Sequence, residues 1–379
     1  MSGAGRAIAR KLGLPIAHRL DRRADRPEPL LAPVRVFGNT PGAQRIGEVV
    51  ASWAPRSGGE LERRGDGNGG QVEEGLGTAV LVLDELTHPR DLEVTELARA
   101  VRRMKACGRV IVIARAPEHP DPIIAAVRGG IAGMVRSMAK ESRSGITVNG
   151  IYLSDDLHIA DPALLAALRF LASAGSAFVT GQLLTIDQPG HLPSSWDRPH
   201  AGRCALLTGA GGGIGTAIAQ TLAAGGAELV LVDLPGSRDL AGLAGRLGGH
   251  ALPGDITEPD VIVRELSRRG LEPQIIIHNA GITRDRSFVN LSERDWRKTI
   301  AVNLTAQLDL TRALWRPDLH LVSLSSTSGI AGNVGQANYA YTKSAILSMI
   351  RAQAAALAPG GGTANAVAPG FIDTAMTRA

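Results

Sequence analysis

Cysteine and aromatic residues are scarce in this chain. Its 379 residues include two cysteines, Cys107 and Cys204, and aromatic residues make up 3% of the total. Two cysteines give neither a disulfide framework nor a metal-binding spacing, so we expect no metal centre and a reducing, cytoplasmic environment. The 46 glycines and the 44% hydrophobic content suit α/β layers of aliphatic side chains better than an aromatic-rich β sandwich.

Long apolar runs and blocks of like charge are also missing. No segment reaches the length of a membrane-spanning helix, so no membrane span is predicted. The net charge of +5 comes from arginines interspersed with Asp and Glu, which is typical of a mixed solvated surface and leaves acidic partners open. No nucleic-acid-binding motif accompanies it. The Arg-rich start could imitate a transit peptide, but Asp21 and Asp25 interrupt the charge, so residues 1–28 are interpreted as a basic lead-in.

Breaker-rich sequence divides the rest of the chain into two parts. Residues 190–200 lack periodicity and are rich in Pro and Ser, which predicts a linker. On both sides of it, short aliphatic strands alternate with helical periodicity, the pattern of a doubly wound parallel sheet. The predicted domains are residues 29–189, a degenerate Rossmann- or flavodoxin-like unit, and residues 201–379. Residues 54–76, rich in Gly, Asp and Arg, predict a long surface loop in the first domain.

The predicted elements have definite bounds. For the first domain they are strands Val34–Phe37, Ala79–Leu83, Val110–Ala114 and Phe178–Ile186, and helices Glu93–Lys105, Ile123–Lys140 and Asp161–Ser173. For the second they are strands Ala205–Leu207, Glu228–Val232, Gln274–His278, His320–Ser323 and Thr363–Val367, and helices Ile214–Ala223 and Gln336–Leu357.

The two domains share an internal repeat. Val127–Arg136 echoes Thr342–Arg351, and Gly145–Ile151 echoes Gly361–Val367. In this register Arg128 falls where Lys343 stands, and Ile124 where Tyr339 stands. The first domain is therefore interpreted as a relative of the second, although similar apolar patterning alone could produce part of the match.

A glycine-rich loop lies between a predicted strand and a predicted helix. Thr208-Gly-Ala-Gly-Gly-Gly-Ile-Gly215 allows a tight turn at Gly209, close backbone approach to a pyrophosphate at Gly213, and helix packing at Gly215. Such loops also occur without a ligand, so it is the position between strand and helix that favours a dinucleotide site.

Polar or small residues follow the next strands of this domain. A carboxylate at Asp233 can accept hydrogen bonds from ribose hydroxyls and repel a 2′-phosphate, which favours NAD(H). NADP(H) stays possible because Arg238 lies close in sequence, and Asp233 could instead cap the next helix. Asp255 and Ile256 could flank an adenine ring or form a solvated loop beside the core. The small residues of Asn279-Ala280-Gly281 allow close approach to a ribose.

Acid–base chemistry is indicated by a tyrosine and a lysine four residues apart. Tyr339 and Lys343 share one face of a long predicted helix, where the ammonium should favour the phenolate and lower the pKa of the phenol. Ser326, thirteen residues before Tyr339, could hold a carbonyl oxygen. Asn303 lies within a largely apolar predicted helix, where it could bond a backbone carbonyl and hold a water beside Lys343, or satisfy a kink.

These motifs occur in the order found in the short-chain dehydrogenase/reductase family, which residues 201–379 resemble. Within that family, Asn279–Asp285 and Gly332–Tyr339 look like 3-oxoacyl-[acyl-carrier-protein] reductases. A basic, degenerate first domain joined to such a reductase resembles the high-molecular-weight form of the enzyme. The resemblance implies reduction of a 3-oxoacyl thioester, carried on acyl carrier protein or coenzyme A, to the 3-hydroxyacyl product, and a homo-oligomer.

The resemblance also implies a role for each matching residue. Tyr339 would donate the proton, Lys343 would lower the tyrosine pKa and hold the nicotinamide ribose, and Ser326 would orient the carbonyl. Asn303 would support a water relay to Lys343. The implied cofactor contacts are Thr208, Gly209, Gly213, Ile214, Gly215, Asp233, Asp255, Ile256, Asn279, Ala280, Gly281, Tyr339, Lys343, Pro369, Gly370, Ile372 and Thr374.

The chain departs from the family after Pro369–Thr374, where family members continue with further helices and a last strand. We therefore expect a truncated second domain that lacks its last helix and strand, while the first domain keeps its own version. Two other functions stay open: a short-chain dehydrogenase for another alcohol or ketone, and a nucleotide-binding scaffold without turnover. A basic cluster could dock an acidic carrier protein or coenzyme A, or be a solvated helix face; its members are Arg284, Arg286, Arg294, Arg297 and Lys298.

Overall fold

The chain folds into two parallel-sheet α/β units, consistent with a Rossmann-like fold. The computed structural model describes residue 20 and residues 30–53, 75–192, 195–237 and 239–373. Nearly all of the lead-in at 1–28, most of the loop at 54–76, Arg238 and Thr374 lie outside the described residues. The division between the two units falls after Leu192. Within the described ranges, no helix is long and apolar enough to cross a membrane.

The described residues of the first unit form five parallel strands in the order β1-β2-β3-β4-β5. The strands are β1 (Val34–Phe37), β2 (Leu76–Leu83), β3 (Met104–Arg115), β4 (Thr147–Leu153) and β5 (Leu183–Ile186). The helices are α1 (Pro41–Trp53), α2 (Thr95–Val101), α3 (Pro122–Glu141) and α4 (Pro162–Leu171), with 3₁₀ turns at Pro89–Asp91 and Ala174–Ser176.

Helices cover both faces of this first sheet. Every residue of β2 is buried, as expected of an aliphatic strand in the middle of a parallel sheet. Alternate side chains along β2 and β3 point to opposite faces, so one set packs with α1 and α4 and the other with α2 and α3. The first unit therefore has two hydrophobic cores, one on each side of the sheet.

Some predicted bounds in this unit were wrong. The helix predicted over Glu93–Lys105 is confined to α2, and the chain has already entered β3 at Met104. The pairing of Leu76 with Met104 explains the difference, because strand pairing overrides a local helical preference. The strand predicted over Phe178–Ile186 is confined to β5, which pairs with β4.

In the second unit, the part of the chain that the structure describes forms six parallel strands in the order β11-β10-β9-β6-β7-β8. The strands are β6 (Cys204–Thr208), β7 (Glu228–Asp233), β8 (His250–Pro253), β9 (Ile275–His278), β10 (His320–Leu324) and β11 (Thr363–Val367). The helices are α5 (Gly213–Ala224), α6 (Leu240–Leu247), α7 (Pro259–Arg269), α8 (Glu293–Ile300), α9 (Ala306–Ala313), α10 (Thr327–Ala331) and α11 (Ala337–Leu357). A π turn, Ala301–Thr305, joins α8 to α9, and 3₁₀ turns lie at Phe288–Asn290 and Ala358–Gly360.

The order of the strands places a crevice in the second unit. The chain winds outward from β6 to β7 and β8, then returns to place β9 on the other side of β6. Helices α5 and α6 pack on one face of the sheet, and α7, α9 and α11 pack on the other. The loops that follow β6 and β9 therefore diverge, and such a switch point is where open α/β sheets bind ligands.

The two repeated segments occupy matching places in their units. Val127 and Thr342 are each the sixth residue of a helix, α3 and α11 respectively. Each helix lies in the connection between two paired strands, β3 and β4 in the first unit and β10 and β11 in the second. The repeat in the sequence is thus a repeat of a strand–helix–strand unit.

Candidate active site

The glycine loop begins at the carboxyl end of β6 and is fixed to the end of β9. The Thr208 hydroxyl donates to the Ile277 carbonyl at 3.3 Å and accepts from the Asn279 amide N–H at 3.1 Å. The Asn279 side chain donates to the carbonyls of Thr208 and Gly209 at 3.2 and 2.9 Å. Asn279, assigned to a ribose contact from the sequence, therefore holds the loop against β9.

Backbone contacts explain why this loop needs glycine at two positions. Gly209 has a φ of 65°, in the left-handed region, and a Cβ there would lie 2.8 Å from the Ala280 Cα. A Cβ on Gly215 would lie 2.1 Å from the Gly209 carbonyl oxygen. Gly212 caps α5 without a side-chain hydrogen bond, so the first-turn N–H groups, including those of Gly213 and Ile214, face no capping side chain. A loop built this way fits a pyrophosphate at the helix N-terminus.

Asp233 closes the other side of the glycine loop. Its carboxylate accepts from the backbone N–H groups of Gly211 and Leu234, each at 2.7 Å. It does not cap the next helix, because Asp239 occupies the N-cap of α6. A carboxylate that takes two N–H bonds keeps further lone pairs for ribose hydroxyls, so the contact with the loop and the contact expected with a nucleotide are compatible.

Asp255 and Ile256 lie beside Asp233, at the end of β8. The Gly254 N–H donates to the Asp233 carbonyl at 2.8 Å, which joins the two strand ends. The Asp255 carboxylate accepts from the N–H and hydroxyl of Thr257, and the Ile256 side chain is buried in the core. Both of these are contacts with the protein itself.

The catalytic lysine predicted from the sequence is buried at the end of β10. Lys343 is 3% exposed, and its Nζ donates to the Leu324 carbonyl at 2.6 Å. The same Nζ lies 5.5 Å from the centre of the Tyr339 ring, as expected for residues one turn apart on α11. Gly329 allows α10 to reach this helix, because a Cβ there would lie 2.6 Å from the Lys343 carbonyl carbon.

The predicted pKa of Tyr339 was wrong in direction. Burial raises the pKa of the phenol above its usual value of 10.0, and a hydrogen bond with Ser326 only partly offsets this. Burial also lowers the pKa of Lys343 to about 8. The prediction considered only the attraction between the charged forms, whereas loss of solvent disfavours both of them. Tyr339 is thus a protonated phenol, which suits a proton donor.

The adjacent serines Ser325 and Ser326 do different things. The Ser326 hydroxyl lies at the start of α10, accepts from the Ser328 N–H at 3.1 Å, and lowers the pKa of the Tyr339 phenol. The buried Ser325 hydroxyl donates instead to the Lys343 carbonyl at 2.6 Å. Of the two hydroxyls, the Ser326 hydroxyl selected by spacing is the one that acts on the pKa of the phenol.

Asn303 lies in the π turn, where the helix departs from regular hydrogen bonding. Its side chain accepts from the Ile282 N–H at 2.8 Å and donates to the Ile282 carbonyl at 2.9 Å and to the Thr342 hydroxyl at 3.2 Å. The buried Gln307 side chain donates to the Asn303 carbonyl at 2.8 Å. Asn303 therefore joins the loop after β9 to α11. Thr342 and Gln307 were missed from the sequence, although Gln307 stands one helical turn after Asn303 in an apolar context.

Asn303 and Lys343 both lie close to Gly281. A Cβ on Gly281 would lie 3.3 Å from Asn303 Oδ1 and 3.6 Å from Lys343 Nζ. The segment with Pro369 and Gly370 also reaches this edge, since the Thr327 N–H donates to the Pro369 carbonyl at 3.0 Å. Gly370 and Ile372 are exposed, and Thr374 lies outside the described residues.

The corresponding edge of the first unit is built differently. A cavity of about 360 Å³ lies at the ends of β1 and β2, and four of its lining residues are acidic: Glu85, Asp91, Glu93 and Glu96. The Asp84 carboxylate accepts from the Thr40 hydroxyl at 2.6 Å and lies over Gly42, where a Cβ would be 1.9 Å from Asp84 Oδ2. A side-chain anion thus occupies the N-terminus of α1, and the surrounding negative charge opposes a pyrophosphate.

Arg128, which aligns with Lys343 in the repeat, makes different contacts. Arg128 is buried, and its guanidinium donates to the Ala116 carbonyl at 3.1 Å and pairs with Asp155 at 2.8 Å. Ile124, in place of Tyr339, has no proton to donate. At the repeated segment the first unit therefore keeps the strand–helix–strand arrangement of the second but not its tyrosine and lysine pair.

The glycine loop, the asparagine at a strand end, and the tyrosine and lysine on a helix lie at one switch point of a parallel sheet. This combination is typical of a class of nucleotide-dependent oxidoreductases. Residues 209–379 match a family model described as enoyl-(acyl carrier protein) reductase. Nodulation protein G from Rhizobium sp. (strain N33) is 40% identical over 188 residues, which cover 46% of this chain and 76% of that protein. The 3-oxoacyl-[acyl-carrier-protein] reductase FabG from Escherichia coli (strain K12) is 36% identical over 188 residues, 47% of this chain and 77% of that protein.

A crystal structure of a 3-oxoacyl-[acyl-carrier protein] reductase from Brucella melitensis with bound NAD is 31% identical, with a TM-score of 0.45 over 50% of this chain and 79% of that one. The extent and identity of the match to the two relatives decide the family. This chain belongs to the short-chain dehydrogenase/reductase family, and it is an oxidoreductase.

Proposed function

We propose that the second unit reduces the 3-oxo group of an acyl thioester to a 3-hydroxy group. The observation that carries this proposal is the arrangement at the switch point, where Lys343 and Asn303 lie beside Gly281. The Lys343 Nζ lies 5.5 Å from the centre of the Tyr339 ring, and Ser326 acts on the pKa of that phenol. The similarity to a relative named 3-oxoacyl-[acyl-carrier-protein] reductase supports the choice of substrate. We also propose residues 201–379 as the catalytic domain, 29–189 as its degenerate counterpart, 190–200 as the linker and a cytoplasmic location.

Each residue of the set would have one task. Ser326 donates to the carbonyl oxygen of the substrate and orients it, and Tyr339 transfers its phenolic proton to that oxygen. Hydride for the carbonyl carbon comes from the reduced nicotinamide of the bound cofactor. Lys343, held by the Leu324 carbonyl, stabilises the phenolate left behind, and Asn303 keeps the loop after β9 against α11. We retain the expectations of a water relay at Asn303 and of a lysine contact with the nicotinamide ribose as part of this proposal.

The experiment that tests the function is an NADH oxidation assay on the full chain. Acetoacetyl-CoA, a simple ketone and a carrier-bound 3-oxoacyl chain would be compared at equal concentration. Turnover of the thioesters well above the ketone would support the proposal. Preference for the ketone would indicate a dehydrogenase of another specificity, and NADH binding without any turnover would indicate a scaffold.

The preferred cofactor is proposed to be NADH, because the Asp233 carboxylate would repel a 2′-phosphate. Changing Asp233→Asn should raise the NADPH-to-NADH ratio of kcat/KM by about tenfold or more, since it removes the charge but keeps an oxygen that can accept from Gly211. Asp255→Asn, at the neighbouring strand end, should leave the ratio unchanged. Equal wild-type rates with both cofactors would contradict the role of Asp233.

The thioester is proposed to arrive on an acidic carrier protein. Of the five basic residues after Gly281, Arg284 contacts Asp295 at 3.9 Å and Arg297 pairs with Glu293. The side chains of the other three are exposed and make no ion pair with the described residues: Arg286, Arg294 and Lys298. Phe288 and Val289, in the same loop as Arg286, are 72% and 86% exposed. Unpaired cations beside apolar side chains suit an acidic amphipathic helix better than a lone nucleotide.

Reversing charge on α8 tests the carrier proposal. The double change Arg294→Glu and Lys298→Glu should raise KM for a carrier-bound substrate about tenfold, because it replaces attraction by repulsion. It should leave kcat/KM for a small N-acetylcysteamine thioester within about twofold. Arg264→Glu, an exposed arginine on α7, serves as the control. Equal losses with both substrates would show that α8 acts on the active site rather than on docking.

A further inference from the structure

Gln336 is joined to three segments that border the acid–base set. It is the N-cap residue of α11, and its amide donates to Asp285 Oδ2 at 2.8 Å. Its amide oxygen accepts from the Ser328 hydroxyl at 2.9 Å and from the Asn333 side chain at 3.1 Å. An amide can serve an acceptor-only carboxylate and two donors at once, which neither a carboxylate nor an apolar side chain can do.

Two of these partners lead directly to the reacting groups. The Ser328 N–H donates to Ser326 Oγ. The bond from the Ser328 hydroxyl to Gln336 therefore holds the turn on which Ser326 lies. Asp285 belongs to the loop after β9, and the carbonyl of the preceding Arg284 accepts from the Asn338 side chain at 3.3 Å. The Asn338 side chain in turn accepts from the Tyr339 N–H at 2.8 Å. Gln336 is thus linked to Ser326 through Ser328, and to Tyr339 through Asp285, Arg284 and Asn338.

We propose that Gln336 is a positioning residue for the reaction under Proposed function, on which this inference rests. It clamps the Ser326 turn and the Asp285 carboxylate to the start of α11, so that Ser326 stays within reach of the Tyr339 hydroxyl and a negative charge stays near it. Asp285, in the loop after β9, acts on the phenol through its charge, and Lys343, on α11 itself, has its Nζ 5.5 Å from the centre of the ring. The Asp285 charge raises the pKa of Tyr339, which keeps the proton on the donor.

Two variants separate the hydrogen bonds from the charge. Asp285→Asn keeps an oxygen for the Gln336 amide but removes the charge, and Gln336→Leu keeps the charge but removes all three bonds of the amide. The phenolate absorbance of each variant would be titrated with pH, with Tyr339→Phe versions subtracted so that Tyr339 alone is measured. Both variants should titrate at lower pH than the wild type: Asp285→Asn because the repelling charge is gone, Gln336→Leu because the carboxylate is no longer held.

Kinetics then test the clamp on Ser326. Gln336→Leu should lower kcat about tenfold with NADH affinity within about twofold, because it displaces the group that orients the carbonyl. Asn333→Ala, which removes one of the three bonds and keeps those to Ser328 and Asp285, should keep at least half of wild-type kcat, and Gln336→Asn should recover part of the loss.

Wild-type kcat and an unmoved titration in Gln336→Leu would overturn the proposal, and an unmoved titration in Asp285→Asn would overturn the role of the charge. The titration needs no substrate. A wild-type protein inactive toward thioesters would therefore refute the proposed function and leave the Tyr339 measurement interpretable.

Discussion

Changing Tyr339→Phe should lower kcat/KM for thioester reduction by about three orders of magnitude, within the range that general acid catalysis contributes. The phenyl ring keeps the packing and the contact with Lys343, so NADH affinity should stay within about twofold. Activity is measured by NADH oxidation and affinity by the fluorescence of the bound nicotinamide.

Tyr341→Phe is the matched control for this change. Tyr341 lies on the same helix, is 52% exposed, and its ring centre is 6.0 Å from that of Trp296. Loss of its hydroxyl should leave kcat/KM unchanged, because nothing places it at the switch point. If Tyr339→Phe kept more than about a tenth of wild-type activity, another group would have to supply the proton.

Changing Gly215→Ala should weaken NADH binding by about a hundredfold and lower the melting temperature. A methyl group there meets backbone on two sides: the Gly209 carbonyl oxygen at 2.1 Å and the Ala210 Cα at 2.8 Å. Such overpacking costs about 1–3 kcal/mol, and the helix can relieve it only by moving away from the loop that holds the pyrophosphate. Nucleotide titration by calorimetry and a thermal melt measure the two effects.

The control is the same change where there is room for it. Gly245 lies within α6, and a Cβ there would meet nothing within 4 Å. Gly245→Ala should bind NADH normally and gain up to about 1 kcal/mol of stability from helix propensity. Normal NADH affinity in Gly215→Ala would mean that the loop does not carry the nucleotide.

The elements of this fold that have a local periodic pattern were predictable from the sequence. The composition of aliphatic strands such as Ala205–Leu207 and Glu228–Val232 predicts them, and each end of the observed strands differs from the predicted end by no more than one residue. The thirteen-residue spacing selected Ser326 over Ser325, and Ser326 is the one that acts on the pKa of the phenol, whereas the Ser325 hydroxyl donates to the Lys343 carbonyl. These features depend on local periodicity, which a sequence displays directly.

The parts that depend on distant contacts were not predictable. The direction of the Tyr339 pKa needed the burial of the ring, which the spacing to Lys343 does not reveal. The π turn at Asn303 needed the partner groups on Ile282 and Gln307. Likewise, the bonds of Asp233 to the glycine loop arise only because β6 and β7 end side by side.

The Asp84 carboxylate over Gly42 has a consequence for protein engineering. In the first unit the helix and the sheet edge are already in place, but the Asp84 carboxylate, bonded to the Thr40 hydroxyl at 2.6 Å, lies over the first turn of α1. Installing a second cofactor in this chain would therefore first require removal of that carboxylate and of the acidic side chains that line the neighbouring cavity.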